Sequence, residues 1–297
     1  MVNVVLEDEG FTERGLRTAD GITLAFRDYG SRFATRTPVL CLAGLTRNAK
    51  DFHDLAGALA PRRRVVCLDA RGRGRSDYDE TYSNYNLIRE VGDVLTLLSQ
   101  EFDRPCIIVG TSRGGLAAMI AHGVRRDMIA GIVLNDIGPE LEPAGLSRIM
   151  DYLGITPKPL ENWDDAIAAM KASNEAEFEG LDDAQWRAWA ERTFRADDGV
   201  PILDYDIRLR DAVLEAGPTG ADFWPQFRSL AETPVLLLRG EHSDLLSVET
   251  VQKMRRAKPD MTAVTVRGRG HVPFLDEPEA RAAILAFIAE QDARRSS

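Results

Sequence analysis

Short apolar runs alternate with helical patterns along most of this chain. Val39–Leu42, Val65–Leu68, Pro105–Val109, Gly131–Asn135, Pro234–Leu238 and Ala263–Val266 are continuous and rich in aliphatic or β-branched residues. That is the composition of strands buried on both faces. Helical spacing occupies 48–60, 86–101 and 114–124, and in the second of these Leu87, Val91, Val94, Leu95 and Leu98 mark one face. Ahead of them, Gly15–Thr18 and Ile22–Asp28 flank Ala19-Asp20-Gly21, an Asp-Gly hairpin signal. The pattern predicts an α/β protein with a doubly wound, mostly parallel eight-stranded sheet and an antiparallel start. Ligands to such sheets bind beyond the C-terminal ends of the strands.

The alternation fails between Glu140 and Asp222. That stretch carries several helical patterns, no convincing strand, and Trp163, Trp186 and Trp189 of the chain's four tryptophans. It is expected to be a helical cap (140–222) inserted between a first core part (1–139) and a second (223–297). Trp186 and Trp189 are three apart and share a helix face. They form either a packing stripe or a wall for a substrate.

The strongest chemical signal is Gly110-Thr111-Ser112-Arg113-Gly114, set between the apolar run that ends at Val109 and the helical stretch Leu116–Ala121. A Gly-x-Ser-x-Gly on a strand-to-helix corner is a nucleophile elbow, whose turn is so sharp that a Cβ at the flanking glycines would collide. Ser112 is the expected nucleophile. A serine hydroxyl needs a base, and the base needs a carboxylate to hold its tautomer.

The chain offers only four histidines. His53 falls off the apolar stripe of its helix, which makes it a surface residue. His122 lies on the helix after the elbow in a packing position, and His242 is a weaker loop candidate. His271 follows the apolar strand Ala263–Val266 on the glycine-loosened loop Arg267-Gly268-Arg269-Gly270. It is the expected general base. For the acid, Asp244 follows the strand Pro234–Leu238 and is the first choice. Asp136, which closes the strand Gly131–Asn135, is its rival, and Glu241 comes third.

The order Ser112, Asp244, His271 resembles that of the α/β-hydrolase fold. So do Leu42-Ala43-Gly44-Leu45 after one strand and Asp69-Ala70-Arg71-Gly72-Arg73-Gly74-Arg75-Ser76 after the next, the latter similar to the family's Asp-x-Arg-Gly-x-Gly-x-Ser. The likeness runs from about Gly15 to Glu290. It implies an oxyanion hole made by the backbone N–H groups of Leu45 and Arg113. It implies a hydrolase of small carboxylic esters or lactones working through an acyl-enzyme, without a cofactor. Two other readings share the fold: a C–C bond hydrolase of ring-cleavage products, and a hydrolase-like small-ligand receptor. Epoxide hydrolases and dehalogenases need an aspartate nucleophile, which Ser112 excludes. Arg113 and Arg47 are arginines near the expected site. Either they brace the oxyanion loop or they receive a substrate carboxylate through a bidentate fork.

Composition narrows the setting. A net charge of −10 with no large basic patch argues against nucleic acid as a partner. The Arg71–Arg75 run, alternating with glycine, reads as a solvated, salt-bridging loop. Three cysteines, Cys41, Cys67 and Cys106, fall in expected strands and read as buried hydrophobes of a reducing compartment. No cysteine–histidine spacing suggests a metal. Met1–Glu9 is acidic without a leader-like apolar core, and no run approaches a membrane span. A cytoplasmic enzyme with a small-molecule substrate is expected, with its oligomeric state left open.

Overall fold

The computed structural model describes residues 4–6, 10–155, 160–216 and 222–296. Of the stretch Met1–Glu9 all but 4–6, and small parts of 140–222, therefore lie outside the described residues. In chain order the strands are β1 (Val4–Leu6), β2 (Phe11–Arg17), β3 (Thr23–Tyr29), β4 (Val39–Leu42), β5 (Val65–Leu68), β6 (Cys106–Thr111), β7 (Ile129–Asn135), β8 (Phe194–Asp197), β9 (Val200–Leu203), β10 (Val235–Gly240) and β11 (Thr262–Val266). The main sheet has the order β1-β2-β3-β5-β4-β6-β7-β10-β11. It contains the eight expected strands, with the three-residue β1 added antiparallel at the β2 edge. From β5 to β11 all pairings are parallel, and β3 pairs with β5 antiparallel. The β2–β3 hairpin turns at Gly21, which sits at φ +88°.

The apolar strands read as buried on both faces because each pleat feeds two cores. Leu40, Leu42, Val66, Leu68 and Ile108 face one layer, packed under α2 (Leu87–Glu101) and α3 (Arg113–Arg125). Their neighbours Val39, Cys41, Val65, Cys67 and Val109 face the other, packed under α1 (His53–Leu59) and α10 (Pro278–Ser296). All three cysteines are buried and free. The helix expected over 48–60 begins as a tighter 3₁₀ turn, Ala49–Phe52, capped by the Asn48 side chain, before α1 proper.

Between β7 and α8 (Trp224–Ser229) the chain builds α4 (Pro143–Tyr152), α5 (Trp163–Asn174), α6 (Asp183–Thr193), the β8–β9 hairpin and α7 (Leu209–Ala216). This segment has a small core of its own, formed by Met170, Phe178, Trp186, Ala190 and Phe194. The sequence pattern predicts no strand here, and the hairpin corrects that expectation. Asp198 and Gly199 at its tip both have positive φ, +46° and +85°. That is the geometry that an Asp-Gly pair supplies to a two-residue hairpin. The helix α9 (Val248–Ala257) then bridges β10 and β11.

Candidate active site

The elbow is built as its glycines require. Ser112 sits at φ +50°, ψ −119° between the end of β6 and the first turn of α3. This is a strained conformation for a residue with a side chain, and such strain gathers at functional sites. A Cβ on Gly110 would come within 2.6 Å of Gly115 Cα, and one on Gly114 within 2.2 Å of the Leu42 carbonyl. The strand, the helix and the loop after β4 therefore meet backbone to backbone around the serine. Gly44 on that loop stands directly against the elbow, since a Cβ there would lie 3.6 Å from both Ser112 Cβ and Arg47 Cγ.

His271 closes on the serine from the far side. Its Nε2 is 2.9 Å from Ser112 Oγ, within reach for proton transfer. The loop that carries it is pinned to the strand ends in two ways. Asn135 Nδ2 donates to the Pro273 carbonyl at 3.0 Å. Gly240, at the end of β10, passes so close that a Cβ there would fall 2.3 Å from the Gly270 carbonyl.

The acid on His271 Nδ1 is Asp136, at 2.7 Å. Asp136 is fully buried. It adopts φ +54° just past β7, and its second oxygen accepts the Gly240 N–H at 2.9 Å. Asp244 is the first choice from sequence. The structure instead gives its carboxylate to Arg148 of α4, which donates from Nε at 2.6 Å and Nη2 at 2.8 Å. Burial alone would raise the Asp244 carboxyl, but the Arg148 fork outweighs it and holds the group below its ordinary range. Glu241, the third choice, accepts the Gly268 N–H. The missed signal was local. Asp136 is the residue immediately after a strand, next in the sheet to the one carrying the elbow, so its side chain needs no loop to reach the histidine.

The oxyanion-hole candidates Leu45 and Arg113 flank the same point. Arg113 opens α3, so its N–H has no partner within the helix. The Arg113 side chain pairs with buried Glu90, and the same carboxylate stands 2.8 Å from Arg73 Nη1. Arg73 Nε in turn donates to the Leu45 carbonyl at 2.8 Å. Glu90 thus links Arg113 to the arginine that holds the Leu45 carbonyl. Burial would raise its pKa, but Arg113 and Arg73 more than compensate and keep it lowered and ionised. The expected solvated loop is corrected here. Arg71 and Arg73 are each only 1% exposed, Arg71 being held by Asp93, Asp79 and Asp20. Only Arg75 in that run projects to solvent.

The remaining sequence candidates pair or pack within the protein. Arg47 gives Nε and Nη2 to Asp51 and Nη1 to Thr193 of α6, so its fork is filled within the protein. Trp186 stacks on Trp189 at 5.3 Å in the core of the inserted segment and is 2% exposed, which removes it as a substrate wall. Trp189 packs edge-on at 4.9 Å against Phe274, three residues after His271. His122 is buried against Thr233, His53 meets the Tyr29 hydroxyl, and His242 bonds Glu179. Among the described residues no group of histidine, cysteine and carboxylate side chains could hold a metal ion, and no helix is long and apolar enough to cross a membrane.

Comparison with known proteins agrees with this fold. The model of the alpha/beta hydrolase family matches residues 39–284. The chain belongs to that family. It is 34% identical over 264 residues to the 3-hydroxybutyrate-oligomer hydrolase of Cupriavidus necator, covering 86% of this chain and 89% of the relative. It is 28% identical over 272 residues to the 2-(acetamidomethylene)succinate hydrolase of Mesorhizobium japonicum, covering 90% of this chain and 92% of that protein. An alpha/beta hydrolase structure from Novosphingobium aromaticivorans superposes with a TM-score of 0.88 at 40% identity, covering 95% of this chain and 99% of the other. The relatives are hydrolases.

Proposed function

We propose that this alpha/beta hydrolase is a serine esterase that cleaves a small carboxylic ester or lactone through an acyl-enzyme. The observation that carries the reading is the unbroken Ser112–His271–Asp136 relay, 2.9 Å and 2.7 Å long at its two links. His271 Nε2 takes the Ser112 proton as Oγ attacks the carbonyl carbon. Asp136 holds the proton on Nδ1 and stabilises the imidazolium. The N–H groups of Leu45 and Arg113 receive the tetrahedral oxyanion. His271 then protonates the leaving alkoxide, and water activated by the same imidazole releases the acid and restores Ser112.

The inserted segment 140–222 acts as a cap over this machinery, and excluding water there strengthens the oxyanion-hole dipoles. An ester is favoured as the scissile bond because oligomers of 3-hydroxybutyrate, after which one relative is named, are joined by ester bonds. Three buried free thiols fit a cytoplasmic setting. Incubation of the purified protein with a panel of short acyl esters tests the reading. Turnover of many equivalents, lost on the order of 10⁶-fold in Ser112→Ala together with fluorophosphonate labelling, is the expected result. Labelling that persists at another residue would remove Ser112 from its role, and a single-turnover trap without cycling would favour a receptor.

A further inference from the structure

Phe274 follows closely after His271 in the chain, yet its side chain belongs to another part of the molecule. The neighbouring Leu275 is 3% exposed and packs into the layer under α1 and α10. Phe274 instead packs against the core of the inserted segment. Its ring stacks on Phe178 at 5.3 Å and meets Trp189 edge-on at 4.9 Å. The Arg192 guanidinium lies 5.5 Å from the centroid of the same ring. Two successive side chains thus enter two different cores, and the backbone is strained where they part, with Leu275 at φ +72°. A leucine in the left-handed region persists only where its surroundings fix it.

Both ends of the loop that carries the base are tied to one carboxylate. Glu277 is buried and accepts the Phe274 N–H at 2.9 Å, the Leu275 N–H at 3.0 Å and Arg269 Nε at 3.0 Å. Residues 269–275 therefore form a closed loop with His271 inside it. The inserted segment grips that loop as well. The Glu179 N–H donates to the Gly268 carbonyl at 3.0 Å, and Arg269 Nη1 donates to the Glu179 carbonyl at 2.9 Å. A Cβ on Gly270 would fall 2.6 Å from Glu177 Oε2 and 3.2 Å from Phe178 Cε2. The segment thus meets the chain ahead of His271 through Glu177–Glu179, and beyond it through Phe178 and Trp189 around Phe274.

We propose that Phe274 is a positioning residue: anchored in the core of the inserted segment, it makes that segment hold His271 against Ser112. The segment then supports the chemical step itself, even for an ester too small to need a roof. This rests on the serine-esterase reading for its substrate, and on the 2.9 Å contact of His271 Nε2 with Ser112 Oγ for its geometry. Phe274 acts through the backbone of Val272 and Pro273, whose carbonyl Asn135 holds from the sheet side. A reacting group misplaced by about 1 Å loses on the order of 10²-fold in rate, so a fraction of that shift is measurable.

The test uses Phe274→Leu, which keeps an apolar side chain and removes the ring. On 4-nitrophenyl acetate and 4-nitrophenyl hexanoate, kcat and KM are measured, together with the rate at which a fluorophosphonate labels Ser112. kcat should fall by about tenfold on both esters, with KM within about twofold and labelling slowed by a similar factor to kcat. Phe274→Tyr keeps the ring and should keep the rate. Trp189→Leu thins the same contact from the inserted segment and takes the place of Phe274→Leu if that variant does not fold. Trp186→Phe, whose ring meets Trp189 and not Phe274, loosens the same core and should leave kcat within about twofold. Unchanged kcat in Phe274→Leu, or a loss confined to the hexanoate or to KM, would overturn the positioning role and leave the segment as a roof. A loss in Trp186→Phe as large as in Phe274→Leu would also overturn it, since general softening of the segment explains both. If the wild type hydrolyses neither ester, the esterase reading fails. Slower labelling of Ser112 in Phe274→Leu then still supports the positioning, and unchanged labelling overturns it. A wild type that neither hydrolyses an ester nor takes the label overturns both readings.

Discussion

Asp136 Oδ2 lies 2.7 Å from His271 Nδ1, while Asp136 Oδ1 accepts the Gly240 N–H at 2.9 Å. One buried carboxylate therefore orients the imidazole and ties β7 to the end of β10. Asp244, by contrast, is committed to Arg148. The two aspartates can be separated by the same substitution. Asp136→Asn should lower kcat by about 10⁴-fold, the scale on which loss of a tautomer-fixing acid acts in serine proteases. Asp244→Asn breaks a part-exposed ion pair worth about 1 kcal/mol or less, and should cost less than about tenfold in kcat. Circular dichroism confirms folding of each variant. A larger kinetic loss for Asp244→Asn would return the acid role to that residue.

The difference between those two aspartates also shows where the sequence stops being readable. The parallel strands were legible because Val65–Leu68 or Val235–Leu238 are short and apolar without interruption, the pattern of a strand covered on both faces. Ser112 was legible because its flanking glycines have a steric cause in the turn itself. The acid was not. Asp136 and Asp244 both follow apolar strands, and choosing between them needs the angle at which each chain leaves the sheet. That angle is set by a positive φ at Asp136 and by the docking of α4 on the Asp244 loop. The burial of Arg71 and Arg73 was hidden for a related reason. Their carboxylate partners Glu90 and Asp93 lie on α2, where sequence spacing shows an amphipathic helix but not which of its acids turn inward. The hairpin at Asp198-Gly199 did have a local signal, and the helical patterns around it masked that signal.

Glu90 predicts a stability effect distinct from catalysis. It is buried between the guanidiniums of Arg73 and Arg113, and removing one partner from a buried ion cluster leaves uncompensated charge. Glu90→Gln should destabilise the protein by about 3 kcal/mol in urea unfolding. It should also reduce turnover of neutral and carboxylated esters alike, because Arg73 would lose its hold on the Leu45 carbonyl. Arg113→Met should give the same uniform loss. A loss confined to carboxylated esters would show that Arg113 reaches the substrate and is not a brace.

Asp69 predicts a pH dependence of stability. Burial pushes its carboxyl up from 3.8 to about 6, against the N–H groups of Arg75 and Ala49 that favour the ion. The folded protein therefore holds this proton over a range where the unfolded chain has released it. Where the native state binds more protons, stability falls as pH rises. The contribution of Asp69 is fully present below about pH 4 and is lost as pH passes through about 6. Asp69→Asn removes the titration. Urea unfolding of the two proteins at pH 4.5 and 7.5 should show the wild type losing roughly 2 to 3 kcal/mol relative to the variant between the two conditions. A difference that stays constant or grows with pH would show that the carboxylate is stabilised, not penalised, in its site.

Two glycines on α3 give the final prediction and control for one another. A Cβ on Gly114 would sit 2.2 Å from the Leu42 carbonyl and 2.8 Å from that of Ala43, both backbone atoms of the loop that leads to Leu45. Neither can yield without moving the Leu42–Leu45 backbone away from Ser112. Gly123, nine residues further along the same helix, has nothing within 4 Å of its would-be Cβ. Gly114→Ala should therefore cost at least about 2 kcal/mol, as overpacking against unyielding atoms does, and should depress kcat even where the variant remains folded. Gly123→Ala should instead stabilise by up to about 1 kcal/mol, because alanine loses less backbone freedom in a helix. Thermal unfolding and ester turnover of both variants check the pair. If Gly114→Ala keeps both its stability and its rate, the loop after β4 is not in contact with the elbow, and Leu45 has no place in the oxyanion hole.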